Sequence, residues 1–187
     1  MATVAEIRIG LDREVIAIPY RPEKHVDGET FPYRSLLEEP SAINDIPELQ
    51  GELHLKRFVA AVNAPGGTFE TFRVQPGLCR KNGRWRPWVS VGLLFRDRRL
   101  FREYSNYVAL AGNFLQYLAQ AAVPLELDTV PLLDLQQARL KDETLDGWVC
   151  DLYVSAQGSS ELAARTRLGT VLDSLAGFLR TGLTKPD

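Results

Sequence analysis

The dipeptide Asn82-Gly83 restricts the possible fold of this chain more than any other feature of its sequence. It lies between two stretches, 78–81 and 84–95, in which side chains of different character alternate. A two-residue type I′ turn needs positive φ at both central positions, and Asn followed by Gly is the pair best suited to it. The sequence therefore predicts a β-hairpin centred on these two residues.

The second arm of this hairpin has two distinct faces. Alternation places Arg84, Arg86 and Trp88 on one face and a nearly continuous apolar set on the other. We expect the apolar set to face the core of the protein: Trp85, Pro87, Val89, Val91, Leu93 and Phe95.

Other segments predict further strands and two helices. Alternation at Ile7 and Ile9 and again over 15–18, around a turn at 10–13, predicts a second hairpin. Strands are also expected at 52–62, 69–74 and 148–155, whereas 127–135 is ambiguous. Apolar residues at helical spacing predict helices over 104–122 and 161–180, the second of them capped by Ser159 or Ser160.

Together these elements predict the α+β class. We expect a mainly antiparallel sheet of about five to seven strands with two amphipathic helices packed on one face. The length of 187 residues is typical of one domain, so the whole of 1–187 is expected to form a single α+β domain. Five of the eleven prolines lie between 19 and 47, which predicts a proline-rich loop excursion at about 19–51.

The charge is unevenly distributed along the chain. The formal net charge is −2, but residues 1–50 carry −5, residues 51–103 carry +7 and residues 104–187 carry −4. A basic segment of this kind either complements acidic regions of the same chain or forms a face for a partner. The partner would be an acidic protein or nucleic acid, and the arginine-rich hairpin 80–102 is the candidate contact. Its candidate binding residues are Arg80, Lys81, Arg84, Arg86, Trp88, Arg98 and Arg99.

A second feature is the stretch 104–125, which contains no charged residue. A solvated helix face normally carries charges, so either both faces of this helix are buried or the neutral face meets a second subunit. The polar amides within it argue against a membrane-spanning segment. The candidate oligomer contacts are Ser105, Ala109, Gly112, Asn113 and Gln116.

The sequence spells out no catalytic, metal or cofactor motif. Its two histidines and two cysteines show none of the spacings typical of metal ligands, and no phosphate-binding loop or dinucleotide fingerprint occurs. The first residues contain no apolar run typical of a secretory leader, so we expect a cytoplasmic protein with reduced thiols and no membrane partner.

We therefore hypothesise a binding or assembly module that engages a protein partner or itself. One alternative is a nucleic-acid-binding module that uses the arginine-rich hairpin. The other is a pocket protein or enzyme whose cavity lies between sheet and helices. Its lining would be Trp85, Tyr107, Phe114 and Trp148.

Overall fold

The computed structural model describes residues 8–20, 24–25, 28–29, 33–120 and 132–181. The strands are β1 (Arg8–Ile18), β2 (Lys24–His25), β3 (Gly28–Glu29), β4 (Phe69–Lys81), β5 (Arg84–Phe95), β6 (Leu132–Leu140) and β7 (Leu145–Ser155). Five of them form one curled, mixed sheet in the order β1-β6-β7-β5-β4, while β2 and β3 pair only with each other. In the described part of the chain the class is α+β, as predicted.

The predicted hairpin is confirmed and forms the β4–β5 pair. Asn82 and Gly83 have φ values of +52° and +75°, as a type I′ turn requires. The expected core face of β5 is confirmed from Pro87 to Phe95, where the odd-numbered positions are buried, whereas Trp85 is only half-buried. The structure joins the predicted strand 69–74 to the first arm of the hairpin, so that β4 is a single strand of 13 residues.

The predicted N-terminal hairpin is wrong. Residues 8–18 form the single strand β1, which pairs in parallel with β6, from Arg8 beside Leu132 to Ile18 beside Leu140. A register shift between Asp12 and Val15 accommodates the residues that were expected to turn. The other three neighbouring pairs of the sheet are antiparallel, so the sheet is mostly antiparallel but mixed.

The strand predicted at 52–62 is a helix, α1 (Leu53–Val62). The alternation of Leu53 and Leu55 at its start is typical of a strand. The residues that are buried, however, are Leu55, Phe58, Val59 and Val62. Their spacing of three and four residues is that of one helix face, so packing against the sheet favours the helix.

The remaining helices are α2 (Arg98–Phe101), α3 (Tyr104–Gln120) and α4 (Glu161–Thr181). The two predicted amphipathic helices correspond to α3 and α4, although residues 121 and 122 lie outside the described part. Ser160 caps α4, since its Oγ accepts a hydrogen bond of 3.2 Å from the Ala163 N–H. Helix α4 packs on β5 and α1, while α3 packs on β6 and β7. We call the side of the sheet opposite these helices the outer face.

The described part of the proline-rich excursion wraps the β4 edge of the sheet. It contains a turn at 36–38, where the Glu39 N–H donates a 3.0 Å hydrogen bond to the Ser35 carbonyl, followed by two short 3-10 helices, Pro40–Asn44 and Pro47–Leu49. Leu36, Ala42 and Leu49 are buried in the core cluster, so this segment contributes to packing as well as connecting elements.

Helix α3 is fixed to the sheet by a hydroxyl group. The register that pairs Leu93 with Cys150 would next pair Phe95 with Trp148. The Tyr107 Oη lies between these two residues. It accepts a 3.3 Å hydrogen bond from the Phe95 N–H and donates a 2.6 Å hydrogen bond to the Trp148 carbonyl. Burial raises the pKa of the Tyr107 phenol, which keeps it protonated as this bridge requires.

Candidate binding surfaces

The tip of the β4–β5 hairpin carries four cations, of which Arg80 lies on one face and the other three on the opposite face. Lys81 lies opposite Arg84, and Cys79 lies opposite Arg86, which places Lys81, Arg84 and Arg86 together on the outer face. Within the described part of the chain, none of the three forms an ion pair. A surface of this kind attracts an anionic partner, because its charge is not neutralised by the protein itself.

Next to these cations the outer face carries two aromatic rings. Trp88 and Tyr153 are stacked, with ring centroids 5.6 Å apart and an interplanar angle of 30°. The Trp88 ring lies over Gly77 on the neighbouring strand, where any Cβ would overlap the ring. The absence of a side chain at Gly77 therefore lets the tryptophan lie flat against β4. Both rings are half-buried and keep accessible surface.

Arg86 joins the cations to the aromatic pair. Arg86 of β5 and Tyr153 of the adjacent strand β7 lie on the same face of the sheet. Burial raises the pKa of the Tyr153 phenol, and the charge of Arg86 opposes that rise. The Arg86 Nε atom is buried and has no hydrogen-bond partner within the described part of the chain. A buried donor without a partner costs about 1–3 kcal/mol. We call Lys81, Arg84, Arg86, Trp88 and Tyr153 the basic aromatic face.

Arg80 points to the other side of the hairpin. Its guanidinium lies 5.6 Å from the centroid of the Trp85 ring, on the side of the sheet that carries the helices. The stacking covers Trp85, which is half-buried. Arg80 therefore adds to the net charge of the hairpin tip but does not belong to the basic aromatic face.

Arg98 and Arg99 lie at the opposite end of β5. A strand of 12 residues places them roughly 40 Å from the turn at about 3.3 Å per residue. Arg99 is 91% exposed and pairs with Asp97 at 2.7 Å. Arg98 contacts the carboxylates of Glu143 at 2.7 Å and Glu70 at 3.4 Å. The structure thus divides the sequence-predicted set of seven residues between two distant places.

The cluster around Arg98 is a structural ion-pair network. Burial raises the pKa of Glu70, and the charge and hydrogen bond of Arg98 oppose that rise. Burial likewise raises the pKa of Tyr33 to about 12, with a further contribution from the charge of Glu70. Arg96 donates hydrogen bonds to the backbone carbonyls of Phe69 at 2.6 Å and Val62 at 3.1 Å. These side chains hold the chain together at this end of the sheet.

The exposed side of α3 is the second candidate surface. The five predicted oligomer contacts, Ser105, Ala109, Gly112, Asn113 and Gln116, are all exposed. Tyr104 and Val108, which are 56% and 41% exposed, lie on the same half of the helix. The opposite half is buried against the sheet through Tyr107, Leu110, Ala111 and Phe114. We call the seven exposed residues the uncharged helix face.

A groove extends the uncharged helix face toward β1. Tyr104 contacts Trp148 edge to face, with ring centroids 5.8 Å apart. Trp148 and Val15 both line an open groove of about 320 Å³, which the charged residues Arg102, Arg139 and Asp146 also line. On the same side of the sheet, Leu11 and Val15 of β1 are 67% and 58% exposed. A surface of mixed apolar and charged character therefore runs from α3 to the edge strand.

The space between the sheet and the helices is filled. The cavity there measures about 10 Å³, which is at the lower limit for one water molecule. Tyr107 and Phe114 are buried as core residues, while Trp85 and Trp148 are half-buried at its margins. This packing offers no support for the pocket expected under the alternative of an enzyme or ligand carrier.

The described residues contain no group of three or more His, Cys, Asp or Glu side chains arranged to hold a metal ion. None of the helices in that part of the chain is long and apolar enough to cross a membrane. Cys79 and Cys150 are both free thiols. Burial raises the pKa of the Cys150 thiol, whereas Cys79 lies exposed beside the basic aromatic face.

No protein-family model matches the sequence, and no curated protein or solved structure matches the chain significantly. The class of the protein therefore rests on its own geometry. The described part is an α+β sheet protein with two contrasting exposed surfaces, one uncharged and one basic and aromatic.

Sequence reasoning missed Tyr153 as a member of the basic aromatic face. Alternation along 148–155 places Tyr153 with Asp151 and Ser155, but only the β5–β7 pairing brings it next to Trp88. Gly77 was missed for the same reason, because its role depends on the cross-strand pairing with Trp88. A single glycine or a single tyrosine gives no signal in the sequence that would have assigned it to this surface.

Proposed function

We propose that this protein is an assembly module that binds a second copy of itself through the uncharged helix face. The observation that supports this most directly is the exposed half of α3. It presents seven residues without a single charge, on the helix that also packs on the centre of the sheet. Monomeric proteins usually place charged residues on such a helix side.

A second copy is the occupant that the chemistry of this face favours. In a two-fold symmetric dimer the same patch meets itself, so a patch whose charges all have one sign would face like charges. The uncharged helix face avoids that repulsion, whereas the basic aromatic face could not meet itself without it. Asn113 and Gln116 provide both donors and acceptors, which can pair with the same residues of the second copy.

Small side chains in the middle of the face allow close approach. A Cβ at Gly112 would meet no atom within 4 Å, and Ala109 and Ser105 lie beside it on the helix surface. Two such helices can therefore pack with their backbones near the lower end of the usual interaxial distance of about 8–10 Å.

The area of contact requires more than α3. A helix of 17 residues is about 25 Å long and 10 Å wide, whereas a stable dimer buries about 800 Å² on each partner. Leu11 and Val15, beyond the groove at Trp148, supply further apolar surface on the same side of the molecule. We therefore include this edge of β1 in the proposed interface.

The test is the oligomeric state of the purified chain and of Ala109→Arg. Size-exclusion chromatography with light scattering should show a dimer for the original chain. The arginine places a buried charge against its own copy, so the dissociation constant of Ala109→Arg should rise at least about tenfold, which corresponds to about 1.4 kcal/mol.

Thr166→Arg is the matched control, because it adds the same charge at an exposed position on α4, outside the proposed interface. It should leave the dimer intact. A monomeric original chain at a concentration of about 100 μM, or equal weakening by both variants, would contradict the proposal.

A further inference from the structure

We propose that the basic aromatic face binds single-stranded nucleic acid, with phosphates at Lys81, Arg84 and Arg86 and a base stacked at the Trp88–Tyr153 pair. This site is independent of the proposed dimer, because it lies on the outer face of the sheet while the uncharged helix face lies on the side of the helices. A dimer formed through α3 leaves both copies of this site open.

The charge of the face fits a polyanion. Lys81, Arg84 and Arg86 lie on two adjacent strands, and no carboxylate of the described residues pairs with them. The nearest acid along the same face of β7 is Asp151, which is held in an ion pair and a 2.8 Å hydrogen bond by Arg73. The local field is therefore positive.

The aromatic pair distinguishes a nucleic acid from other anions. A base stacks on a tryptophan or tyrosine ring whatever its identity, and cationic side chains next to the ring hold the backbone. An acidic peptide would be attracted by the same arginines but would make no use of the two stacked rings. The pairing of rings and cations within one face favours the nucleic acid.

The shape of the site favours a single strand over a small nucleotide or a duplex. The three best-defined cavities of the described part are lined by other residues, and strand pairing spreads the basic aromatic face over β4, β5 and β7. A mononucleotide would remain largely solvated there, whereas a strand can lie across several contacts. A duplex conceals its bases from the two rings.

The arrangement also explains why Trp88 is fixed in place. Its ring lies against β4 at Gly77, and Tyr153 of the neighbouring strand β7 stacks beside it. A ring held in this way loses little conformational freedom when a base stacks on it.

The experiment measures the fluorescence anisotropy of a labelled 20-nucleotide oligothymidylate titrated with the full chain. The dissociation constant should be micromolar or lower at low salt. The logarithm of the binding constant should fall linearly with the logarithm of the salt concentration, with a slope of about −2 for three phosphate contacts. Arg84→Ala should weaken binding and reduce that slope by about 0.7.

Trp88→Ala should weaken binding about tenfold while leaving the salt slope unchanged, because it removes stacking and no charge. Circular dichroism verifies that the variant folds. Tyr153→Leu removes the supporting ring and provides the same measurement if Trp88→Ala does not fold. Arg99→Ala is the matched control: it removes an exposed cation far from the site and should leave affinity unchanged.

Competition decides between nucleic acid and a general polyanion. An unlabelled oligothymidylate should displace the probe far better than polyglutamate, heparin or a duplex of the same length. Equal displacement by polyglutamate, or an affinity unaffected by both ring substitutions, would instead identify a site for acidic polymers and overturn the proposal. The absence of binding at low salt would also overturn it.

Discussion

The two ends of strand β5 carry the same type of side chain and use it in opposite ways. At one end, Arg96 and Arg98 donate to backbone carbonyls or pair with carboxylates, and the exposed Arg99 is held by Asp97. At the other end, Arg84 and Arg86 form no ion pair within the described residues and lie beside two stacked rings. One end is neutralised and structural, and the other keeps its positive charge.

The difference shows how little a local net charge says about a binding surface. The central segment carries a net charge of +7 in the sequence, which indicates one basic region. In the structure, Glu70 and Glu143 approach Arg98 from 28 and 45 residues away and neutralise it. Only the cations that the fold leaves without such partners contribute to an attractive field.

The largest expected effect concerns the end of β5 at Arg96, Arg98 and Arg99, which we call the structural end; we call the hairpin tip at Arg84 and Arg86 the free end. Replacing Arg98 with Ala should lower the free energy of unfolding by about 2 kcal/mol, because it leaves the buried Glu70 without its cation. The value is below that of a fully buried pair, since the Arg98 side chain is itself 36% exposed. Urea denaturation monitored by circular dichroism measures the change.

Arg84→Ala provides the matched comparison at the free end and should change the free energy of unfolding by less than about 0.5 kcal/mol. Combining Arg98→Ala with Glu70→Leu should recover part of the loss, because the buried carboxylate is then removed. Equal effects of Arg98→Ala and Arg84→Ala would show that the two ends do not differ as described.

A second prediction asks whether the free end is ordered. Gly77→Ala places a Cβ where the Trp88 ring lies, and should cost about 1 kcal/mol as the ring is displaced. Tryptophan fluorescence should change with it. Gln75→Ala, at an exposed position of the same strand, should do neither. A silent Gly77→Ala would mean that the ring is free to move and that the rigid platform does not exist.

Local signals allowed much of the fold to be predicted. The Asn82-Gly83 turn, the buried face of β5, helices α3 and α4 and the Ser160 cap each depend on residues close together in sequence. The parallel pairing of β1 with β6 could not be predicted, because Arg8 meets Leu132 across 124 residues and no local pattern records the partner. Helix α1 was misread because its first residues alternate, whereas tertiary packing selects the helical face.

The features of the candidate surfaces likewise divide into those predictable from local sequence and those that depend on distant contacts. Both the neutral helix side and the arginines of the hairpin follow from sequence alone, since each lies on one element. Strand pairing and ion pairing between distant segments determine the rest. They separate Arg98 from Arg84, place Arg80 on the opposite side of the hairpin and stack Tyr153 on Trp88. A binding surface that spans several strands becomes visible only when their order and register are known.

The smallest expected effect concerns Asp97, which begins α2 at the structural end. Side-chain and backbone hydrogen bonds from Arg99 lower the pKa of Asp97 to about 2, below its ordinary value of 3.8. A lowered carboxyl pKa stabilises the folded chain above pH 3.8, and this contribution is lost as the pH falls through about 2. NMR titration of the Asp97 carboxyl measures this pKa directly, and Arg99→Ala should return it toward 3.8. Arg84→Ala, at the free end, should leave the titration of Asp97 unchanged. A pKa of Asp97 that is insensitive to Arg99 would show that this arginine is as free as those of the hairpin, and the contrast between the two ends would then rest on Arg96 and Arg98 alone.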